Sequence, residues 1–153
     1  MPLAGRVPGG LRLTLAPLGS RAFRRLPPLW GGMAKHSVPD EIMDGWFEPV
    51  LTRPDIRRYL RKYVTSVPDA ATLWAWARQQ AGFDRPVLVV WATEDHLMPR
   101  GHARRLAELF PNARLAEVTD SYTLIPEDQP EELASALRAF LIETDQSDRN
   151  RPV

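Results

Sequence analysis

Cysteine is absent from the 153-residue sequence. This absence excludes disulfide bridges, thiolate metal sites and a cysteine nucleophile, so packing alone must hold the fold together. Long hydrophobic runs are absent too. The apolar stretch VLVVWA at 87–92 is far shorter than the roughly 20 residues that a membrane-spanning helix needs. We therefore expect a cytoplasmic protein with no membrane span.

Acidic residues are missing from the start of the chain, where none occurs before Asp40. Residues 1–65 carry 11 Lys and Arg against 5 Asp and Glu, whereas residues 66–153 carry 9 against 14. An arginine-rich start is typical of a transit peptide or of an arm that binds nucleic acid. Here the arginines are interleaved with Leu, Ala, Phe and Trp, which favours amphipathic helices. We predict no nucleic-acid partner and rank such a role third among the functional hypotheses.

The composition, 44% hydrophobic and 25% charged, is that of a globular protein of single-domain size. In the first half of the chain the apolar residues follow helical periodicity, and prolines limit each helix to a few turns. The pattern predicts helices near 42–50, 56–63 and 69–82, with Asp69 as an N-cap.

After residue 85, short strands alternate with helices. The valine-rich run at 86–92 predicts a parallel strand buried on both faces. A helix at 103–110, a second strand at 113–118 and a final helix at 133–141 follow from their apolar spacing. Helical crossovers between consecutive strands imply a parallel pair. Because two strands leave an edge with unpaired backbone groups, we expect a homodimer mate or a partner chain to cover it.

Three motifs stand in a fixed order within residues 85–141. They are the acidic loop EDHLMP at 94–99, the sequence PNARL at 111–115, and EDQP at 127–130, where Asp128 is predicted to open the final helix. This order resembles the C-terminal end of the α/β-hydrolase family, over about a third of the chain. The resemblance implies a hydrolase of ester or related bonds that acts on a small-molecule substrate and needs no cofactor.

The resemblance also defines the expected organisation. We predict the α/β fold class, with a helical, cap-like region over 1–84 that resembles the family's active-site roof more weakly. Residues 85–142 are predicted to form two parallel strands with crossover helices, a partial α/β-hydrolase sheet. Residues 143–153 are predicted to be a polar flexible tail. The strands that precede the nucleophile in this family have no counterpart in the sequence, so the chain is interpreted as a C-terminal portion.

The family's catalytic triad consists of a serine, an acid and a histidine. Asp95 matches the acid position, and Thr123 matches the histidine position, counted back from Gln129 and Pro130. A threonine hydroxyl has no useful basicity near neutral pH, so Thr123 is not expected to act as a base. The nucleophile motif G-x-S-x-G occurs nowhere, and Ser20 in the only Gly-Ser pair lacks the second glycine and a preceding strand.

The remaining histidines offer weak alternatives. His96 adjoins Asp95, but neighbours on an extended loop tend to point apart, and His102 and His36 are interpreted as surface residues. A metal site built from Glu94, Asp95, His96 and His102 lacks the required spacing, so no metal is predicted.

The tryptophans are interpreted mainly as packing residues. Trp46 and Trp76 fit core faces of their helices, and Trp91 ends the apolar run near the predicted site, whereas Trp74 lies off its helix's apolar stripe. In a cap, some of them could line an acyl or aromatic substrate pocket.

Two functional hypotheses follow. In the first, the chain is part of an α/β-hydrolase and is inactive alone, because the nucleophile and the histidine are missing. In the second, it is a non-catalytic module of α/β-hydrolase origin that binds a partner or a ligand.

Overall fold

A computed structural model describes residues 10–149. The chain forms two compact units: residues 10–31 with 37–73, and residues 32–36 with 74–149. The short segment 32–36 therefore belongs to the second unit although both of its neighbours in sequence belong to the first.

The first unit is helical. Its main helices are α3 and α4, and its N-terminal part contains two short ones, α1 and α2. Their bounds are Gly10–Leu15 (α1), Arg21–Arg24 (α2), Asp40–Thr52 (α3) and Pro54–Thr65 (α4), with 3-10 turns at Ala16–Gly19 and Trp30–Gly32. Helix α5, Ala70–Gln80, contributes its first turn to this unit. The three helices predicted in this half are confirmed, and Oδ1 of Asp69 accepts a hydrogen bond from the N–H of Thr72 at 2.7 Å.

A buried arginine organises the core of the first unit. Arg24 is 4% exposed, and its Nη1 donates to the carbonyl of Met43 at 3.2 Å and lies 2.9 Å from Oδ1 of Asp44. Its guanidinium also lies over the ring of Phe47, 5.0 Å from the centroid, and Trp30 packs edge-on against the same ring at 4.6 Å. Because a buried charge requires partners, these contacts hold α2 against α3.

Two predictions about tryptophan burial are wrong. Trp46 is 39% exposed and Trp76 is 51% exposed, although both fit the apolar face of their helix. On α4, Tyr59 and Tyr63 share an apolar stripe but are likewise exposed, by 59% and 77%. Periodicity shows which residues share a face of a helix, but it does not show whether another element covers that face.

The second unit contains the sheet, and its strand and helix order is the predicted one. After α5 come strand β1 and helix α6, followed by strand β2 and helices α7 and α8. Their bounds are Val87–Ala92 (β1), Gly101–Leu109 (α6), Ala113–Val118 (β2), Ile125–Asp128 (α7) and Pro130–Arg149 (α8). The strands pair in parallel, in a register that places Val87 beside Ala113 and Ala92 beside Val118. The predicted parallel pair with a helical crossover is confirmed.

A small core joins the sheet to the C-terminal helices. Ala92, Val118 and Ile125 are buried, and Val90 and Leu133 pack against them. The prediction that β1 is buried on both faces is only partly fulfilled, since Val89 and Ala92 alone are buried and the other four residues are partly exposed.

Helix α8 continues to Arg149, through residues for which the sequence predicted a polar tail. The side chain of Glu143 pairs with Arg114 of β2, and Asp145 pairs with Arg149 one turn later at 2.7 Å. These pairs and the half-buried Thr144 give this last part of the helix contacts that the polar composition did not reveal. No helix between residues 10 and 149 is long and apolar enough to cross a membrane.

Candidate functional site

The loop after β1 brings Asp95 and Thr123 into direct contact. One carboxylate oxygen of Asp95, Oδ1, accepts hydrogen bonds from the N–H groups of Leu97 and Met98 at 2.8 and 2.9 Å, which fixes the turn. The same oxygen accepts a third bond from Oγ1 of Thr123 at 2.9 Å. The residues at the acid and histidine positions of the resemblance are therefore hydrogen-bonded to each other. The Thr123 hydroxyl is the donor of this bond, and the Asp95 carboxylate is its acceptor.

A second contact joins the same two loops. The rings of His96 and Tyr122, the neighbours of Asp95 and Thr123, pack with their centroids 4.4 Å apart and their planes at 58°. His96 thus lies against an aromatic ring, and among the described residues it makes no hydrogen bond to Asp95. This arrangement agrees with the expectation that adjacent loop residues point apart.

A charged cluster lies beside this pair, at the carboxyl ends of both strands. Nζ of Lys35 is 2.7 Å from Glu94 and 2.8 Å from Asp120, and Nε2 of His36 is 3.1 Å from the other oxygen of Asp120. The N–H of Asp120 in turn donates to Glu94 at 3.0 Å. The hydrogen bonds from Lys35, and then from His36, lower the pKa of the Asp120 carboxyl, while the two carboxylates raise the pKa of Lys35.

The backbone at Asp120 is held in a left-handed conformation, with φ at 54°, which a residue other than glycine seldom adopts. Its carbonyl and carboxylate accept hydrogen bonds from the side-chain amide of Gln129 at 3.2 and 3.1 Å. Together with Lys35, these contacts fix the turn after β2 that leads to Thr123.

A buried carboxylate, Asp128, anchors the loop that carries Thr123, a role that the sequence did not predict. It is 8% exposed and accepts the backbone N–H groups of Lys35 and His36 at 2.9 and 2.8 Å, that of Tyr122 at 2.9 Å, and the hydroxyl of Ser121 at 3.2 Å. Burial raises the pKa of this carboxyl, but the four hydrogen bonds outweigh burial and lower it overall.

The predicted role of Asp128 at the start of the last helix is therefore wrong in its mechanism. Helix α8 does begin at Pro130, but the Asp128 side chain faces the loop and the segment 35–36 rather than the helix. No local sequence signal could have shown this, because two of its partners lie more than 90 residues earlier.

An apolar cavity of about 680 Å³ lies in the second unit, between α5, α6 and β1. Its walls are apolar except for two side chains. The lining residues are Trp74, Ala77, Trp91, Met98, His102, Arg105, Leu106 and Leu109. His102, interpreted from the sequence as a surface residue, thus borders the cavity. Trp74, which lies off the apolar stripe of its helix in the sequence analysis, borders the cavity too.

The remaining candidate residues lie elsewhere. Oγ of Ser20 accepts the N–H of Phe23 at 3.3 Å and so caps α2. Within the described part of the chain, no three His, Asp or Glu side chains come together in a group that could hold a metal ion.

Comparison with known proteins identifies the family of this chain. The family model of the alpha/beta hydrolase fold matches residues 10–130, which is most of the chain. The chain therefore belongs to the α/β-hydrolase fold family. The comparison with curated protein sequences returned no match.

Solved structures share the fold. One that matches is the crystal structure of a candidate lipase from Acinetobacter baumannii AYE, at a TM-score of 0.68 and 14% sequence identity. The match covers 88% of this chain and 46% of the Acinetobacter protein. The chain thus spans less than half the length of that protein, and at this identity the likeness concerns the fold.

Proposed function

We propose that Asp95 and Thr123 occupy the acid and histidine positions of an α/β-hydrolase site, and that this site lacks a general base. The observation that supports the proposal is the 2.9 Å hydrogen bond from Oγ1 of Thr123 to Oδ1 of Asp95. In a triad, the carboxylate of the acid accepts a hydrogen bond from one N–H of the histidine ring, and the other ring nitrogen takes the proton of the serine. A hydroxyl at this position can orient itself on the acid but cannot take that proton.

The surrounding residues do not replace the missing base. Among the described residues, His96 packs on Tyr122 and His36 pairs with Asp120, so neither histidine is hydrogen-bonded to Asp95. The sequence also contains no G-x-S-x-G motif to supply the serine. The chain is accordingly a non-hydrolytic part or variant of the fold, with the cap-like helices and the C-terminal strands as its framework.

An esterase assay tests this proposal. The purified 153-residue chain and its Asp95→Asn variant are compared on p-nitrophenyl acetate and butyrate. We expect both to give the background rate, because a triad without a base contributes nothing. A rate well above background that falls in the Asp95→Asn variant would contradict the proposal.

The cavity supports a second function, the binding of an apolar ligand. Its walls include the side chains of Trp74, Trp91, Leu106 and Leu109, and its volume of about 680 Å³ is that of a small-molecule site. Arg105 and His102 are the polar residues of the lining, and among the described residues Arg105 makes no ion pair. The lining suits a ligand with an apolar body and one acidic group.

Binding is measured with decanoate and decanol by calorimetry, with tryptophan fluorescence as a second signal from Trp74 and Trp91. We expect decanoate to bind more tightly than decanol, and the Leu106→Trp variant, which fills the cavity, to bind neither. The Leu141→Trp variant is the matched control because Leu141 does not line the cavity and is 63% exposed. Equal binding by both variants, or no binding by the unmodified chain, would contradict this function.

A further inference from the structure

Residues 33–36 form a short segment whose hydrogen bonds go to the loops of the sheet, although the chain on either side of it is helical. The first unit contains the described residues up to 31 and resumes at residue 37, whereas 32–36 belong to the second unit. Both ends of the segment are therefore joined covalently to the helical unit, while its own contacts lie at the candidate site. We call residues 33–36 the strap.

The strap fixes the loop that carries Thr123 on both sides of that residue. The carbonyl of Met33 accepts the N–H of Leu124, the residue after Thr123, at 2.8 Å. The N–H of Tyr122, the residue before Thr123, donates to Asp128 at 2.9 Å. The same carboxylate accepts two backbone N–H groups of the strap, so Thr123 is held by bonds that the strap makes or shares.

The strap also reaches the loop that carries Asp95. Nζ of Lys35 lies 2.7 Å from the carboxylate of Glu94, the residue before Asp95, and 2.8 Å from that of Asp120 in the other loop. Asp95 and Thr123 are themselves joined by one hydrogen bond of 2.9 Å. The strap thus contacts a sequence neighbour of each member of the pair.

The bonds of the strap differ in strength. The side chains of Lys35 and Asp120 are 29% and 52% exposed, and ion pairs in contact with solvent contribute little to stability. Asp128 is 8% exposed, and a hydrogen bond to a buried charged acceptor contributes more. The strap is therefore held mainly by three backbone groups, the N–H groups of Lys35 and His36 and the carbonyl of Met33. So few bonds allow it to open locally while the sheet stays paired.

We propose that the strap is a conformational switch for the candidate site. When it is seated, it holds Thr123 against Asp95, and when it leaves, the two residues separate. This role rests on the proposed assignment of these two residues and concerns the regulation of their contact. Because both ends of the strap continue into the helical unit, a displacement of that unit has a covalent route to the pair. Coupling of this kind requires an element with two arrangements, which the strap supplies.

Native-state hydrogen exchange of the full chain tests whether the strap opens independently of the sheet. We expect the amides of Lys35, His36 and Leu124 to share one free energy of opening, because they are released together. That free energy should be lower than the one for the amide of Thr93, which donates to the carbonyl of Val118 within the sheet at 2.9 Å. Equal values for Leu124 and Thr93 would contradict an independent movement.

Matched variants test the bonds to the buried carboxylate. Lys35→Pro removes the N–H that donates to Asp128, whereas Lys35→Met removes only the ammonium group and keeps that N–H. We expect the Leu124 amide to exchange about tenfold faster or more in Lys35→Pro than in Lys35→Met, with the Thr93 amide unchanged. His36→Pro and His36→Ala form a second pair on the same carboxylate, for which we expect the same difference.

An imidazole at position 123 reports whether the pair is joined. In the Thr123→His variant, its pKa should lie above the ordinary value of about 6.5 while the ring faces the Asp95 carboxylate. We expect the addition of Lys35→Pro to lower this pKa toward about 6.5, and the addition of Lys35→Met to leave it elevated. Both double variants lose the same cation, so the difference between their proton NMR titrations reports the seating of the strap.

Three results from these variants would overturn the proposal. They are equal exchange of the Leu124 amide in the proline variants and their controls, equal pKa values in the two double variants, and loss of protection at Thr93 together with Leu124. An unshifted pKa in Thr123→His alone would contradict the contact with Asp95 and the role of the strap with it. The esterase assay tests the missing base separately, so failure of that proposal is distinguishable from failure of this one.

Discussion

The hydroxyl of Thr123 donates to Oδ1 of Asp95 at 2.9 Å, although 28 residues separate the two in sequence. The contact joins the two residues that we propose for the acid and histidine positions of the fold. Under that proposal, the group held by the acid is a hydroxyl, which lacks the basicity of an imidazole.

Replacing Thr123 with histidine should restore a titratable partner for Asp95. We expect the introduced imidazole to have a pKa above its ordinary value of about 6.5, because the carboxylate favours the protonated form. Proton NMR titration measures this pKa, and the Thr123→His, Asp95→Asn double variant is the control, in which the elevation should disappear. The single variant should still lack esterase activity because the chain has no nucleophile motif. An unshifted pKa would show that the side chain at 123 does not face Asp95.

Replacing Thr123 with valine keeps the shape of the side chain and removes the donor. Asp95 retains its two backbone donors, so we expect a loss of about 1 kcal/mol in the free energy of unfolding, the usual net value of one hydrogen bond. Urea denaturation measures the loss, and Thr52→Val, on a hydroxyl that bonds only to the backbone of its own helix, serves as the control. A loss no larger than that of the control would mean that the bond to Asp95 adds nothing to stability.

Asp128→Asn should be strongly destabilising. The amide cannot accept hydrogen bonds on its nitrogen side, so buried donors among Lys35 N, His36 N, Tyr122 N and the Ser121 hydroxyl lose their acceptor, at a cost of about 1–3 kcal/mol. The control is Asp145→Asn, whose exposed pair with Arg149 should contribute little. Equal unfolding curves for the two variants would contradict the anchoring role.

The same carboxylate predicts a pH dependence. Because the pKa of Asp128 is lower in the folded chain than in the unfolded chain, its contribution is present above about pH 4 and is lost as the pH falls through the folded value. Thermal unfolding between pH 3 and pH 7 should therefore show a shallower acid slope in Asp128→Asn than in the unmodified chain. An unchanged slope would assign the acid sensitivity to other carboxylates.

Lys35→Met should raise the pKa of the Asp120 carboxyl, since the hydrogen bond from Lys35 is the main cause of its depression. Carbon-13 NMR of the carboxyl groups measures the change. The only other lysine, Lys62, lies over the ring of Tyr59 and makes no ion pair within residues 10–149, so Lys62→Met is the control and should leave Asp120 unaffected. A similar pKa of Asp120 in both variants would contradict the cluster.

Gly31→Ala should destabilise the first unit. A Cβ at this position would lie 2.0 Å from the carbonyl oxygen of Arg25, a clash with backbone that no side-chain rotation relieves. We expect a loss of about 1–3 kcal/mol, the usual cost of overpacking. Gly45→Ala is the contrasting variant, because nothing lies within 4 Å of its Cβ and alanine favours helix α3. Thermal unfolding should therefore separate the two variants in opposite directions.

The local elements of the fold could be predicted from the sequence. Strand β2 has the predicted bounds, 113–118, because a short apolar run between turn residues has few alternatives. Burial could not be predicted as well: Trp46 and Trp76 lie on apolar stripes that the described elements leave open. The pattern of a helix records which face is apolar, whereas burial depends on elements distant in the sequence.

The candidate site, like the fold, could be predicted from the sequence only in part. Asp95 and Thr123 were predicted as site residues from a family pattern that fixes their spacing from Pro99 and Gln129, and the fold brings them into contact. Lys35, which bridges Glu94 and Asp120, belongs to a segment with no pattern of its own and contacts the site only in the folded chain. A side chain that reaches the site only through contacts distant in sequence belongs to no local sequence pattern, so it cannot be predicted from one.

The anchor at Asp128 also has a consequence for folding kinetics. Its bonds to Lys35 and His36 span 93 and 92 residues, so they can form only after both segments have closed a long loop. Interactions that form after the transition state affect the unfolding rate rather than the folding rate. We therefore expect the hydrogen bonds of Asp128 to slow the unfolding of the segment around Thr123 and to leave its folding rate nearly unchanged.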